Sequence, residues 1–142
     1  MSSDKLHFVV IDDSKLDCFI AEKVIQNTGR CESIRSFMMA ADALEFLGKQ
    51  PFDETYRVLI LVDIQMPIMD GIATLPEIKK ISPQTKVIML TMVDDNSMIT
   101  KLMELGANSY LTKTSDSEVI YEAIKTCFEQ EYFFNALTNK AL

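Results

Sequence analysis

A chain of 142 residues with 48% hydrophobic and 25% charged residues has the length of one domain and the balance of a folded globular protein, which excludes disorder. Twenty-one acidic against fourteen basic residues give a net charge of −7, and phosphate backbones repel so acidic a segment, so it is not itself a nucleic-acid binder. Cys18, Cys31 and Cys127 are odd in number and form no C-x-x-C pair. With no run near the ~18 apolar residues of a membrane span and too short an N-terminal apolar run for a signal peptide, a reduced, soluble, cytoplasmic protein without a membrane partner is expected.

In chain order, the first element is the apolar run Phe8-Val9-Val10-Ile11. Its continuous, β-branched character is that of a strand buried on both faces. A helix follows, with Leu16, Phe19, Ile20 and Val24 on one face. Ser14 and Asp17 resemble a capping box at its start, with Asp in place of Glu, and Gly29 is expected as a left-handed C-cap. A weaker strand, Glu32 to Phe37, leads to a helix from Ala40 or Ala41 to Gly48. The run Val58 to Val62 is a second strongly buried strand. The next helix is expected to begin near Leu75, because Pro76 is tolerated in a first turn and not in an interior. Val87 to Leu90 is the third buried run, and Met98, Leu102 and Leu105 mark a helix that stops at Gly106. A weak strand, Ala107 to Leu111, precedes a last helix expected to open with the capping box Ser115-x-x-Glu118. The order is (βα)₅, which implies a doubly wound α/β sheet with right-handed crossovers. One domain, residues 1–128, leaves a tail of residues 129–142.

In such a sheet the functional edge lies at the carboxyl ends of the strands. Asp12-Asp13, Asp63 and Thr91 each follow or close an apolar run there, and Lys113 follows Tyr110-Leu111-Thr112. Singly, an Asp after a strand is as readily a helix N-cap, and a Lys is usually solvated. Five such groups on one edge are harder to dismiss. Three carboxylates about 5 Å apart repel by ~3 kcal/mol per pair at an effective dielectric of 20. A cation among them relieves this, and Mg²⁺ suits one or two carboxylates, waters and phosphate oxygens. A haloacid-dehalogenase-like phosphatase would want a second Asp two residues after Asp63, where Gln65 stands and cannot shuttle a proton. A nucleotide module would want a Gly-rich loop, but Gly29, Gly48, Gly71 and Gly106 are scattered. His7, away from the acidic edge, reads as structural, and the methionines read as core filling.

Asp12-Asp13, the stretch Asp63-Ile64-Gln65-Met66-Pro67-Ile68-Met69-Asp70-Gly71, Thr91 and Lys113 resemble the receiver domain of bacterial two-component response regulators over about residues 6–128. The resemblance implies a five-stranded parallel sheet of order 2-1-3-4-5, flavodoxin-like. It also implies Asp63 as phosphoacceptor, and Mg²⁺ held by Asp12, Asp13, Asp63 and the Gln65 carbonyl. Thr91 and Lys113 would bind phosphoryl oxygens, Thr91 and Tyr110 would form the switch, and Gln65, Met92 and Val93 would modulate access. The implied partners are a sensor histidine kinase or phosphotransfer protein and, on phosphorylation, a second copy. Two departures stand out. Met92 follows Thr91 where the family usually has a small residue. Thr114 follows Lys113 where the family tends to have a Pro in a cis peptide, and a cis bond before another residue costs about 3 kcal/mol. Absence of that Pro is common in the NarL/LuxR-type branch, and the tail with Tyr132-Phe133-Phe134 resembles the segment before its DNA-binding domain. The expected role is control of transcription through a helix-turn-helix domain outside this sequence. The alternatives are a stand-alone receiver that docks a partner protein and, more remotely, an aspartyl-phosphate phosphatase.

Overall fold

A computed structural model describes residues 6–50, 58–66, 69–92 and 96–130, with the backbone alone at 96 and 128–130. Five strands, β1 (Leu6–Ile11), β2 (Cys31–Phe37), β3 (Val58–Asp63), β4 (Lys86–Thr91) and β5 (Ser109–Thr112), alternate with five helices. The helices are α1 (Lys15–Gln26), α2 (Ala40–Leu47), α3 (Gly71–Ile81), α4 (Asn96–Glu104) and α5 (Ser117–Gln130). All neighbouring strands pair in parallel, in the order β2-β1-β3-β4-β5. The expected doubly wound sheet is the one observed.

The three apolar runs are the three central strands because they alone can be apolar on both faces. Val9, Ile11, Ile60, Val62, Val87 and Met89 face α2, α3 and α4 through Ala43, Leu47, Leu75, Ile78, Ile99 and Leu102. The alternate residues Phe8, Val10, Leu59, Leu61, Ile88 and Leu90 face α1 and α5 through Cys18, Ile25, Ala123, Ile124 and Cys127. Burying each such side chain contributes roughly 1.5–3 kcal/mol. The pairing also sets the site. Ile11 lies beside Val62 and Asp63 beside Leu90, so the residues after β1 and at the end of β3 meet where the strand order reverses.

Four local expectations are corrected. The α1 face named from periodicity is mostly outside: Leu16, Phe19 and Ile20 are 66%, 55% and 49% exposed, and Cys18, Val24 and Ile25 carry the burial. Gly29 does take a positive φ of 72°, but as the third residue after α1 ends rather than at its cap. Helix α3 starts at Gly71, not near Leu75, because Asp70 caps it by accepting from the Ala73 N–H at 2.9 Å. Pro76 therefore lies in the second turn, where it removes the donor that the Ile72 carbonyl would otherwise meet. Helix α5 starts at Ser117, its first N–H bonds running from Val119 and Ile120 to the Asp116 carbonyl. Ser115 instead closes a turn on Thr112, to whose carbonyl its N–H donates at 3.1 Å.

The Ser14 cap holds, its hydroxyl accepting from the Asp17 N–H at 3.2 Å. Helix α5 runs on to Gln130, past the expected boundary at 128. The aromatic tail lies outside the described residues. Among the described residues, no helix is long and apolar enough to cross a membrane.

Candidate functional site

Each site residue is delivered by the end of a strand. Asp12 follows β1, and its backbone N–H donates to the Phe37 carbonyl at 3.0 Å. Its Oδ1 accepts from the Ser14 N–H at 2.9 Å, which fixes the carboxylate at the start of α1. Asp63 is the last residue of β3, and its Oδ1 accepts from the Gln65 N–H at 3.1 Å. Thr91 ends β4, and the Lys113 N–H donates to its carbonyl at 2.7 Å, so Lys113 and Thr91 are set side by side. No peptide bond among the described residues is cis, so Lys113–Thr114 is trans.

Asp12 and Asp63 are each 2% exposed and Thr91 1%, whereas Asp13 is exposed. One carboxylate oxygen from each of Asp12, Asp13 and Asp63 lies within 4.8 Å of the others. Ligands of an ion with ~2.1 Å bonds stand ~3 Å apart when adjacent and ~4.2 Å when opposite, so these oxygens need draw together by at most ~2 Å to close on a small hard cation. All three donors are carboxylate oxygens, the chemistry such a cation takes. The residues fit.

The Lys113 ammonium lies 2.7 Å from Asp12 Oδ2, 2.8 Å from Asp17 Oδ2 and 3.3 Å from Asp63 Oδ2. Burial alone would pull its pKa down. Hydrogen bonds to Asp12 and Asp17 and the charges of Asp12 and Asp63 outweigh this and raise it, so Lys113 is a fixed cation. Burial, then the charge of Asp12, pushes the Asp63 carboxyl up to about 7, against the opposing pull of Lys113 and the Gln65 N–H. Without a dication, one ammonium does not balance the cluster.

The residue after next, Gln65, reaches across the edge. Its Nε2 donates to Thr91 Oγ1 at 2.8 Å and its Oε1 accepts from the Met92 N–H at 3.1 Å. The Met92 side chain is 60% exposed. Val93 lies outside the described residues. Tyr110 is inside at 1% exposure, packed in the core facing α2, α3 and α4. His7 sits at the opposite end of β1 and meets Ser33 Oγ at 2.7 Å, as a structural residue would.

Two residues make contacts at this edge that a reading of the sequence does not assign them. Asp17 reads as a capping-box partner, but its carboxylate leaves the cap and pairs with Lys113, 96 positions away. Gly71 packs on the end of β3 itself: a Cβ there would stand 2.6 Å from the Asp63 carbonyl oxygen and 2.8 Å from Ile64 Cα. Its N–H donates to the Ile64 carbonyl at 3.0 Å. The signal for Gly71 is its fixed place after Asp70; nothing local signals Asp17.

Comparison with known proteins gives the family and the fold. The transcriptional regulatory protein DegU of Brevibacillus brevis is 28% identical over 125 residues, 88% of this chain and 51% of DegU. The response regulator protein VraR of Staphylococcus epidermidis is 38% identical over 109 residues, 71% of this chain and 52% of VraR. The chain thus spans about half the length of these curated relatives. The beryllofluoride-activated receiver domain of DrrB, a Thermotoga maritima response regulator, superposes with a TM-score of 0.72 at 25% identity. That match covers 89% of this chain and 99% of the DrrB domain. Residues 8–125 match the family model of the response regulator receiver domain, and the chain belongs to that family.

Proposed function

We propose that Asp63 is the phosphoacceptor of a two-component phosphorelay and takes its phosphoryl group from a histidine kinase, a phosphotransfer protein or a small phosphodonor. The observation that carries this is a buried carboxylate at the end of the central strand, flanked by Asp12, Asp13 and Lys113. An Asp63 oxygen attacks phosphorus, the bond to the donor's imidazole nitrogen breaks, and the imidazole leaves with that electron pair, giving an aspartyl-phosphate. The Lys113 ammonium and the Thr91 hydroxyl meet the phosphoryl oxygens. Asp12, Asp13, Asp63 and the Gln65 carbonyl would hold Mg²⁺, which when bound neutralises phosphoryl charge. Gln65 offers no proton two residues after Asp63, so hydrolysis of the aspartyl-phosphate is slow and the chain is a switch rather than a phosphatase. Met92 and Gln65 stand at the opening and restrict water and small donors.

Output follows from Thr91. Its hydroxyl leaves the Gln65 amide for the phosphoryl group and biases the edge made by β5, α4 and α5, a two-state element. Tyr110 stands as the second switch residue, and its ring position in metal-free and beryllofluoride-bound crystals decides that role. DegU is a transcriptional regulator about twice as long as the segment that matches this chain, and we place a helix-turn-helix output domain outside this sequence.

Acetyl phosphate with Mg²⁺ should add one phosphoryl group by intact-mass spectrometry, and Asp63→Ala should take up none. An unchanged adduct in Asp63→Ala would falsify the assignment.

A further inference from the structure

Lys113 is held by three carboxylates that are not equivalent. Asp12 and Asp63 belong to two sets at once, that of the Lys113 ammonium and that of the clustered oxygens of Asp12, Asp13 and Asp63. Asp17 belongs only to the first, and its Oδ2 lies 2.8 Å from Lys113 Nζ. A dication seated among Asp12, Asp13 and Asp63 neutralises two of the three counter-charges of Lys113 and repels the ammonium itself. Lys113 would then be driven from the site at the moment its charge is needed beside the incoming phosphoryl group. Asp17 prevents this. It sits in the first turn of α1, its backbone N–H bound to Ser14 Oγ and its carboxylate one-third exposed. From there its carboxylate reaches Lys113 without belonging to the clustered oxygens.

We infer that Asp17 is a positioning residue of the phosphorylation site, keeping the Lys113 ammonium beside Asp63 after a divalent cation has taken Asp12 and Asp63; this rests on the reading of Asp63 as phosphoacceptor. Positioning of this kind acts on the phosphoryl-bound state and not on metal binding. A role confined to the helix terminus, where an acid in the first turn is favourable in any case, would change melting temperature alone.

The full chain is titrated first with Mg²⁺ alone and then, at saturating Mg²⁺, with beryllofluoride, as wild type, Asp17→Asn, Asp17→Glu and Asp63→Ala. Asp17→Asn should bind Mg²⁺ within about twofold of wild type but beryllofluoride about tenfold more weakly, the loss of a charge-assisted contact. Asp17→Glu, which keeps the charge, should recover most of that loss. Equal beryllofluoride affinity in wild type and Asp17→Asn, or a parallel fall in Mg²⁺ affinity, overturns the role of Asp17 while Asp63→Ala still reports on the phosphoacceptor. If wild type itself binds no beryllofluoride, both readings fall together. Should Asp17→Asn fold poorly, the wild-type protein decides. The Lys113 ammonium resonance should persist on saturation with Mg²⁺, and its loss to fast exchange would overturn the proposal.

Discussion

Asp63 carries the cost of its own site. In the absence of metal the folded protein holds a proton on this carboxyl up to about pH 7, whereas the unfolded chain releases it near pH 4. The group's folded pKa is raised, so the stability it contributes is whole below about pH 4 and is lost as the pH rises through about 7. Asp63→Asn is neutral throughout and keeps that contribution, while Lys113 still has Asp12 and Asp17 as partners. Urea denaturation in EDTA at about pH 8 should therefore find Asp63→Asn more stable than wild type by roughly 1–3 kcal/mol, with the gap closing toward pH 4. Equal midpoints at both pH values would mean that the cluster is already balanced without metal. Mg²⁺ should stabilise wild type more than the variant, because the variant lacks one of the charged donors.

At the scale of elements, the contact of Gly71 with Asp63 and helix α1 show what a single close approach or helix contributes. Gly71 leaves no room for a side chain against the Asp63 carbonyl, so Gly71→Ala must push α3 away from β3 or move the acid. An overpacked contact of this kind costs typically 1–3 kcal/mol. Beryllofluoride affinity should fall along with the melting temperature, and a variant that melts lower but binds normally would show that α3 alone had moved.

Helix α1 divides cleanly. Ile25 is fully buried, and Ile25→Ala should cost about 2–5 kcal/mol in urea denaturation. Phe19→Ser and Leu16→Ser, on the exposed side, should stay within about 0.5 kcal/mol of wild type.

That division was not legible in the sequence. Periodicity shows that Leu16, Phe19, Ile20 and Val24 share a face, but not that the sheet takes Cys18 and Ile25 instead. Strands β1, β3 and β4 were legible because only a doubly covered sheet accommodates unbroken runs such as Val58 to Val62. The start of α3 follows Asp70 as N-cap, a stronger local signal than the restriction Pro76 imposes. Of the site, the residues at strand ends could be read, since each follows its own apolar run. Asp17 could not, since its partner is brought to it by the topology and not by its neighbours.

Over the whole molecule the carboxylates of Asp12, Asp13, Asp17 and Asp63 gather at one end of the sheet, and the same end ties the strands to the β4–β5 margin. The Lys113 N–H bonds the Thr91 carbonyl, and Tyr110 on β5 lies beside Met89 on β4. On the proposed switch, a change at Thr91 would thereby be a change in the support of α4 and α5. The Gln65 amide opposes that change by holding Thr91 Oγ1 and the Met92 N–H together. Two such bonds contribute about 1–2 kcal/mol in total. Gln65→Ala, which leaves the backbone carbonyl in place, should therefore bind beryllofluoride up to about 5–30-fold more tightly at saturating Mg²⁺. Unchanged affinity would show that the clamp re-forms with water at no loss.

On the proposed switch, the same amide would also fix how quiet the protein is before any signal arrives. A receiver without this clamp would stray into its active arrangement more often, and basal output would rise by the same factor with no change in the kinase. A side chain far from the output would then set the leak of the circuit, and with it the smallest stimulus that stands above background.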